Sequence, residues 1–337
     1  MKKSFGGKVW VLTLAAILMI SGVLFAGGKK DAGTDSIADG KLRIAMLLPG
    51  PINDGGWNTM AYTALMEAEK TLGADVAYTE NVKQNDQVQL LRQYASRGYT
   101  VMIGHGFEFG DALTQVGEEF PDKYFINYGG AIHNGKNVGS INYAYGQTGA
   151  LMGVLVGMHK DITRVGVIHA FDNPTGSQET RNIEKYAKKY NPNVTFTYTF
   201  TGDWDDIAKA KEAAAAALNN GAQVIVTDMS GPTGAIIQAV QDRNAKFIEV
   251  TFDAYDMCPG NIISSAIHDA TKAMLAALKE IQAGNFDGSV YKFGLKEGVM
   301  DVGRFGPSVT DEMKAEVAKM RKEIEDGTAE LLILLED

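Results

Sequence analysis

The chain has 337 residues, is 45% apolar and 22% charged, and carries a net charge of −9. That length allows two domains of ordinary size, and the acidic balance disfavours nucleic acid, whose phosphates need a basic face. A single cysteine (Cys258) excludes an internal disulfide, and with five scattered histidines it makes no zinc pattern, so neither metal nor cofactor is expected.

Lys2, Lys3 and Lys8 precede an apolar stretch from Val9 to Ala26, and small residues follow it. This is the layout of a secretory signal, expected over residues 1–26, with a membrane anchor as the alternative because the apolar run is long enough for a borderline span. Gly27 stands where a bacterial lipoprotein would carry Cys, so the reading is export to the periplasm or cell envelope without a lipid anchor at that site. Residues 27–40, small, polar and Gly-rich, read as a flexible linker.

From Lys41 onward, strand and helix patterns alternate. LRIAMLLP (42–49) is a short apolar run ending at Pro-Gly, which reads as a buried strand. A helical pattern over 58–73 stops at Gly73, ADVAYTENV (74–82) reads as a second strand with its exit loop, and another helical pattern over 86–98 stops at Gly98. YTVMIGHG, KYFINYGG and VGSINY continue as strands, with a helix ending at Pro121 between the first two. GQTGALMGVLVGMHKD (146–161) is a Gly-spaced apolar helix, too short for a membrane span and suited to close packing. A second series begins at RVGVIHA (164–170) and repeats the pattern through KFIEVTFD. Repeated β-α-β implies parallel sheets with right-handed crossovers, here two α/β lobes, each a doubly wound sheet. The lobes are expected over 41–143 plus 256–285 and over 146–252 plus 290–337. The chain then passes between them more than once, which makes a hinge and a cleft.

Ligands of open α/β sheets sit beyond the carboxyl ends of the strands. The loops at those ends, 49–58, 104–111, 171–177, 201–206, 228–234 and 252–259, share a composition of aromatics and carboxylates. They hold Asp54, Trp57 and Asn58; Phe107; Trp204; Asp228; and Asp253 with Asp256. Trp57 and Trp204 come one from each lobe, and such a pair suits a flat ligand held between two rings. Carboxylates around it can accept hydrogen bonds from ring N–H, exocyclic amine or sugar hydroxyl groups. A purine base or nucleoside fits; a sugar, whose faces also stack on aromatics, is the alternative. Asn58 and Asp206 also stand at helix starts and can serve as caps, and Asp54 can close a turn.

Enzyme readings fare worse. GHGFEFG (104–110) has G-x-G-x-x-x-G spacing, and the next strand lacks the acid that should meet a ribose. There is no G-x-x-x-x-G-K-[ST] and no G-x-S-x-G, so no catalytic residue is assigned and the chain is read as a binder rather than an enzyme.

INDGGWN before a helix, ENV after the second strand, GHGFEFGDAL, GDWDDIAKAKEAA, NGAQVIV and SSAIHDA together resemble the basic membrane protein family, the substrate-binding proteins of bacterial ABC importers, over residues 41 to about 305. The resemblance implies a two-lobe periplasmic binding protein of the type I, ribose-binding-protein-like fold, a monomer that closes on a purine and delivers it to a membrane permease. The family's Asp-x-x-Phe-Asn motif maps to Asp54, Trp57 and Asn58, its opposite aromatic to Trp204, and its ribose-binding Asp to Asp253 or Asp256. His268 stands where the nucleoside receptors carry Lys, which points to the adenine-binding branch. A sensor module reading the same ligand is a further alternative.

Overall fold

The computed structural model describes residues 41–333, so the expected signal and linker lie outside the described residues. The first series runs β1 (Arg43–Leu47), α1 (Trp57–Leu72), β2 (Asp75–Thr79), α2 (Gln84–Ser96), β3 (Val101–His105), α3 (Gly110–Glu119), β4 (Tyr124–Tyr128) and β5 (Val138–Tyr143). The second runs α4 (Tyr145–Met158), β6 (Arg164–His169), α5 (Pro174–Tyr190), β7 (Thr195–Phe200), α6 (Ile207–Asn219), β8 (Val224–Thr227), α7 (Thr233–Gln241), β9 (Lys246–Thr251) and β10 (Ile262–His268). The chain then adds α8 (Ala270–Gln282), β11 (Val290–Phe293), β12 (Met300–Val302) and α9 (Asp311–Glu325).

Two six-stranded sheets result, in the orders β2-β1-β3-β4-β5-β11 and β7-β6-β8-β9-β10-β12. The two orders match strand for strand. All pairings are parallel except β12 against β10. Helices cover both faces, which is why β3 and β5 are buried along their whole length and read as continuous runs rather than alternations.

Sheet pairing corrects the expected lobe division in its second half. Residues 256–285 were expected in the first lobe, but β10 pairs with β9 in the second sheet, and only α8 goes to the first lobe, where it packs on α1. Residues 290–337 were expected in the second lobe, but β11 pairs with β5 in the first sheet. The pairing partner of a short apolar strand is chosen by long-range packing, which local pattern does not encode.

The chain therefore passes between lobes at Ala144, at Asp269 and over residues 294–299. These crossings run side by side: the Ala144 amide donates to the Phe293 carbonyl at 2.8 Å, and the Asp269 amide to the Val299 carbonyl at 2.7 Å. Just past the first crossing, α4 is buried almost all round. Its Gly149, Gly153 and Gly157 seat it on α5 so closely that a Cβ on Gly153 would lie 2.7 Å from the Ile183 carbonyl oxygen.

The start of α1 is fixed by one carboxylate. Asp54 Oδ1 accepts from the Gly56 and Thr59 amides and the Thr59 hydroxyl, and Oδ2 accepts from the Asn58 amide and Nδ2, all at 2.8–2.9 Å. Amides that a helix leaves unpaired in its first turn are thereby satisfied. Partial burial pushes the Asp54 carboxyl up, but the Gly56, Asn58 and Thr59 bonds outweigh it and hold the group below the usual carboxylate range. A depressed folded-state value means that this stabilisation is complete above the unfolded value, near pH 3.9, and fades as pH falls through the folded value. Asp54→Ala is expected to cost about 1–2 kcal/mol at pH 7, with the gap to the parent closing below about pH 4. Urea unfolding of both proteins across that range checks it.

Candidate functional site

The carboxyl ends of both sheets border one cavity of about 180 Å³. The first lobe contributes Asp54, Trp57, Asn58, Phe107, Glu108 and Gly129 to its walls. The second contributes Asn173, Glu179, Trp204, Asp205, Asp228, Ser230, Thr251 and His268, and Tyr145 stands just past the first crossing, at the start of α4. Both tryptophans of the expected pair border it.

The first-lobe wall is aromatic. The Trp57 indole stacks on the His105 imidazole, with centroids 4.3 Å apart and planes at 26°, and meets the edge of Tyr128 at 5.9 Å. His105 Nε2 lies 3.0 Å from the Trp57 carbonyl oxygen. Asn58 is buried and turned into its own loop, with Nδ2 on Asp54 and Oδ1 facing the Gly50 amide at 3.4 Å. Asp54 and Asn58 thus spend most of their hydrogen bonding on building the loop. Phe107 is 53% exposed at the cavity's edge, and burial raises the neighbouring Glu108 carboxyl.

The second-lobe wall carries three of the five carboxyl groups. Asp228 lies 2.8 Å from His169 Nδ1. Burial works against a charge on His169, but Asp228, Glu179 and Asp172 raise its pKa above the usual imidazole range. Glu179 is buried; it accepts from the Thr148 hydroxyl at 2.6 Å and lies 3.2 Å from His268 Nε2. The His268 ring stacks on Tyr143 at 4.9 Å. Behind Asp228, Glu249 is held well above the carboxylate range by burial and by the Asp228 charge. Trp204, 36% exposed, meets Phe171 edge-on at 6.0 Å. Beside it, burial and the Asp203 and Asp54 charges raise Asp205.

The lobes touch directly where the Trp57 amide donates to Ser230 Oγ at 3.2 Å. A Cβ on Gly56 would lie 1.9 Å from the Ser230 Cβ, so this approach requires glycine.

Asp253 and Asp256 do not border the cavity; both are taken by Arg304, whose Nε lies 2.6 Å from Asp253 and whose terminal nitrogens lie 2.8 and 2.9 Å from Asp256. The guanidinium also sits 4.6 Å over the Tyr255 ring. In this structure the charges of the two expected ribose contacts are met by Arg304 rather than facing the cavity wall. Asp206 is a cap only, accepting from the Lys209 amide to start α6. Glu179 and His105 were not foreseen. Glu179 sits in the opening turns of a helix that follows a sheet strand, and such turns face the crevice, a signal available from sequence. His105 ends a strand and reads as core.

Among the described residues, no helix is long and apolar enough to cross a membrane, and no cluster of His, Cys, Asp and Glu is arranged to hold a metal. A solute-binding protein of an ABC transporter from Conexibacter woesei superposes with a TM-score of 0.69 at 26% identity, over 88% of this chain and all of that one. The architecture is thus the type I periplasmic binding fold. The transcriptional activator protein med of Bacillus subtilis is 28% identical over 83% of this chain and 87% of its own. The nucleoside-binding protein BmpA of a Lactococcus lactis ABC transporter is 22% identical over 94% and 97%. The family model described as "ABC transporter substrate-binding protein PnrA-like" matches residues 41–330, and the chain belongs to this family, Bmp, of extracytoplasmic substrate-binding proteins.

Proposed function

We propose that the protein captures a purine nucleoside or purine nucleobase, adenine- or adenosine-like, in the interlobe cavity and delivers it to a membrane permease. Residues 1–26 direct its export, and it works as a monomer by binding, with no covalent step. The observation that carries the reading is the composition of the cavity wall: two tryptophans from opposite lobes, five carboxyl groups, and no Lys or Arg. The rings offer faces for a flat base. The carboxylates accept from amine, ring N–H or hydroxyl groups, and no Lys or Arg among the described wall residues is there to pair with a phosphate. The nucleoside-binding relative from Lactococcus lactis supports the same ligand class. His268, engaged by Glu179 and Tyr143, favours the adenine-binding branch over a nucleoside receptor with Lys at that place.

Ligand groups that meet Trp57 on one lobe and Trp204, Asp228 or Glu179 on the other gain both sets of contacts only when the lobes are together. Binding thereby shifts the population toward the closed form. A sensing role is the second reading, favoured by the Bacillus subtilis relative named as a transcriptional activator. Uptake of labelled adenosine in cells lacking the gene separates the two: unchanged uptake leaves sensing and removes transport.

Trp57→Ala and Trp204→Ala are each expected to weaken adenosine or adenine binding by about 1–3 kcal/mol in calorimetry; full affinity in both variants would refute the sandwich. Adenosine monophosphate should bind at least about tenfold more weakly than adenosine, because its phosphate would be desolvated beside carboxylates. Gly56→Ala places a methyl group against Ser230 of the opposite lobe. It is expected to lower affinity by about fivefold to a hundredfold in calorimetry.

A further inference from the structure

A buried imidazole at the end of β3 is an odd choice for a core position. His105 has no exposed surface, and its Nδ1 has no hydrogen-bond partner among the described residues. Burial lowers its pKa to about 3, against smaller opposing contributions from the Trp57 carbonyl and the Asp54 charge, so the ring is neutral at any physiological pH. A neutral ring 3.0 Å from a carbonyl oxygen carries its proton on Nε2 and donates it there, which leaves Nδ1 as a buried acceptor without a donor. Such an orphan is a standing cost to stability that phenylalanine or leucine would not incur.

The imidazole does what neither of those residues can: it holds Trp57 at two points. Its proton binds the main-chain oxygen of Trp57, and its face stacks on the Trp57 indole. Asp54 fixes the amides of the same turn from the other side. Trp57 is therefore gripped at backbone and ring before any ligand arrives. An indole that is already immobile loses little freedom on binding, so more of its stacking energy appears as affinity.

We propose that His105 is a positioning residue that pre-organises Trp57 as the stacking plate of the ligand site. The proposal rests on the reading that Trp57 stacks on the ligand, and its test separates the two.

His105→Phe keeps a ring under the indole and removes the donor; His105→Gln keeps an amide donor near the Nε2 position and removes the ring. In the full-length protein, each is expected to bind adenosine about threefold to tenfold more weakly. With 5-fluorotryptophan incorporated, the Trp57 fluorine resonance (assigned through Trp57→Phe) should shift and broaden in both ligand-free variants while that of Trp204 stays in place. Histidine nitrogen NMR of the unaltered protein should show Nε2 protonated and Nδ1 bare from pH 5 to 8. Full affinity with an unmoved Trp57 resonance in either variant would overturn the proposal, as would a charged or Nδ1-protonated ring, a readout that stands even where a variant does not fold. If Trp57→Ala binds adenosine like the parent, the stacking reading fails by itself, and the ligand-free fluorine spectra still decide whether His105 holds the indole.

Discussion

The site depends on how the first turn of α1 is held. Five hydrogen bonds converge on the Asp54 carboxylate from residues 56, 58 and 59. Trp57 sits inside that span, and its own amide is left over. In this structure the leftover amide is met by Ser230 of the other lobe. The loop that builds the ring-bearing wall thus leaves one donor for the opposite lobe to satisfy. A helix start that is complete within one lobe would offer no such contact.

The two walls divide the work. The first lobe offers rings stacked on one another over a core of apolar strands, and the second offers carboxylates whose charge is managed internally. Asp228 has His169, Glu179 has Thr148 and His268, and burial with the Asp228 charge raises Glu249 well above the carboxylate range. Leaving several carboxylates ionised and unpaired in a partly buried cavity would be costly. Pairing Asp228 and Glu179 with donors keeps their remaining lone pairs available as acceptors. A neutral ligand rich in N–H and O–H groups suits such a wall, and a ligand bringing its own negative charge does not.

Much of this was legible in the sequence because two rules are local. Apolar runs bounded by Gly and Pro gave the strands, and the strand-end rule led to Trp57, Trp204, Asp228 and Phe107, all of which border the cavity. The rule failed where a distant residue decides the outcome. Asp253 and Asp256 stand in a strand-end loop like the others, but Arg304, some fifty positions on, claims both. Lobe membership failed for the same reason: nothing within VYKF says that it will pair with VGSINY rather than with the strand before it. His105 was hidden differently, since a histidine among Val, Met and Ile at a strand end carries no local mark of the ring stacked on it.

The second-lobe wall is also part of the hinge. His268 ends β10 immediately before the second crossing, Tyr143 ends β5 immediately before the first, and their rings stack at 4.9 Å. Tyr145, just beyond the first crossing, borders the cavity and meets the same imidazole edge-on at 5.2 Å. Any rotation of one lobe on the other pivots beside these three rings, because the crossing strands are bonded to one another there. A ligand touching His268 and Tyr145 therefore touches the pivot as well as the two jaws. Its free energy of contact can depend on lobe angle even before Trp57 and Trp204 both engage, and a dependence on angle is what a ligand needs in order to move the equilibrium.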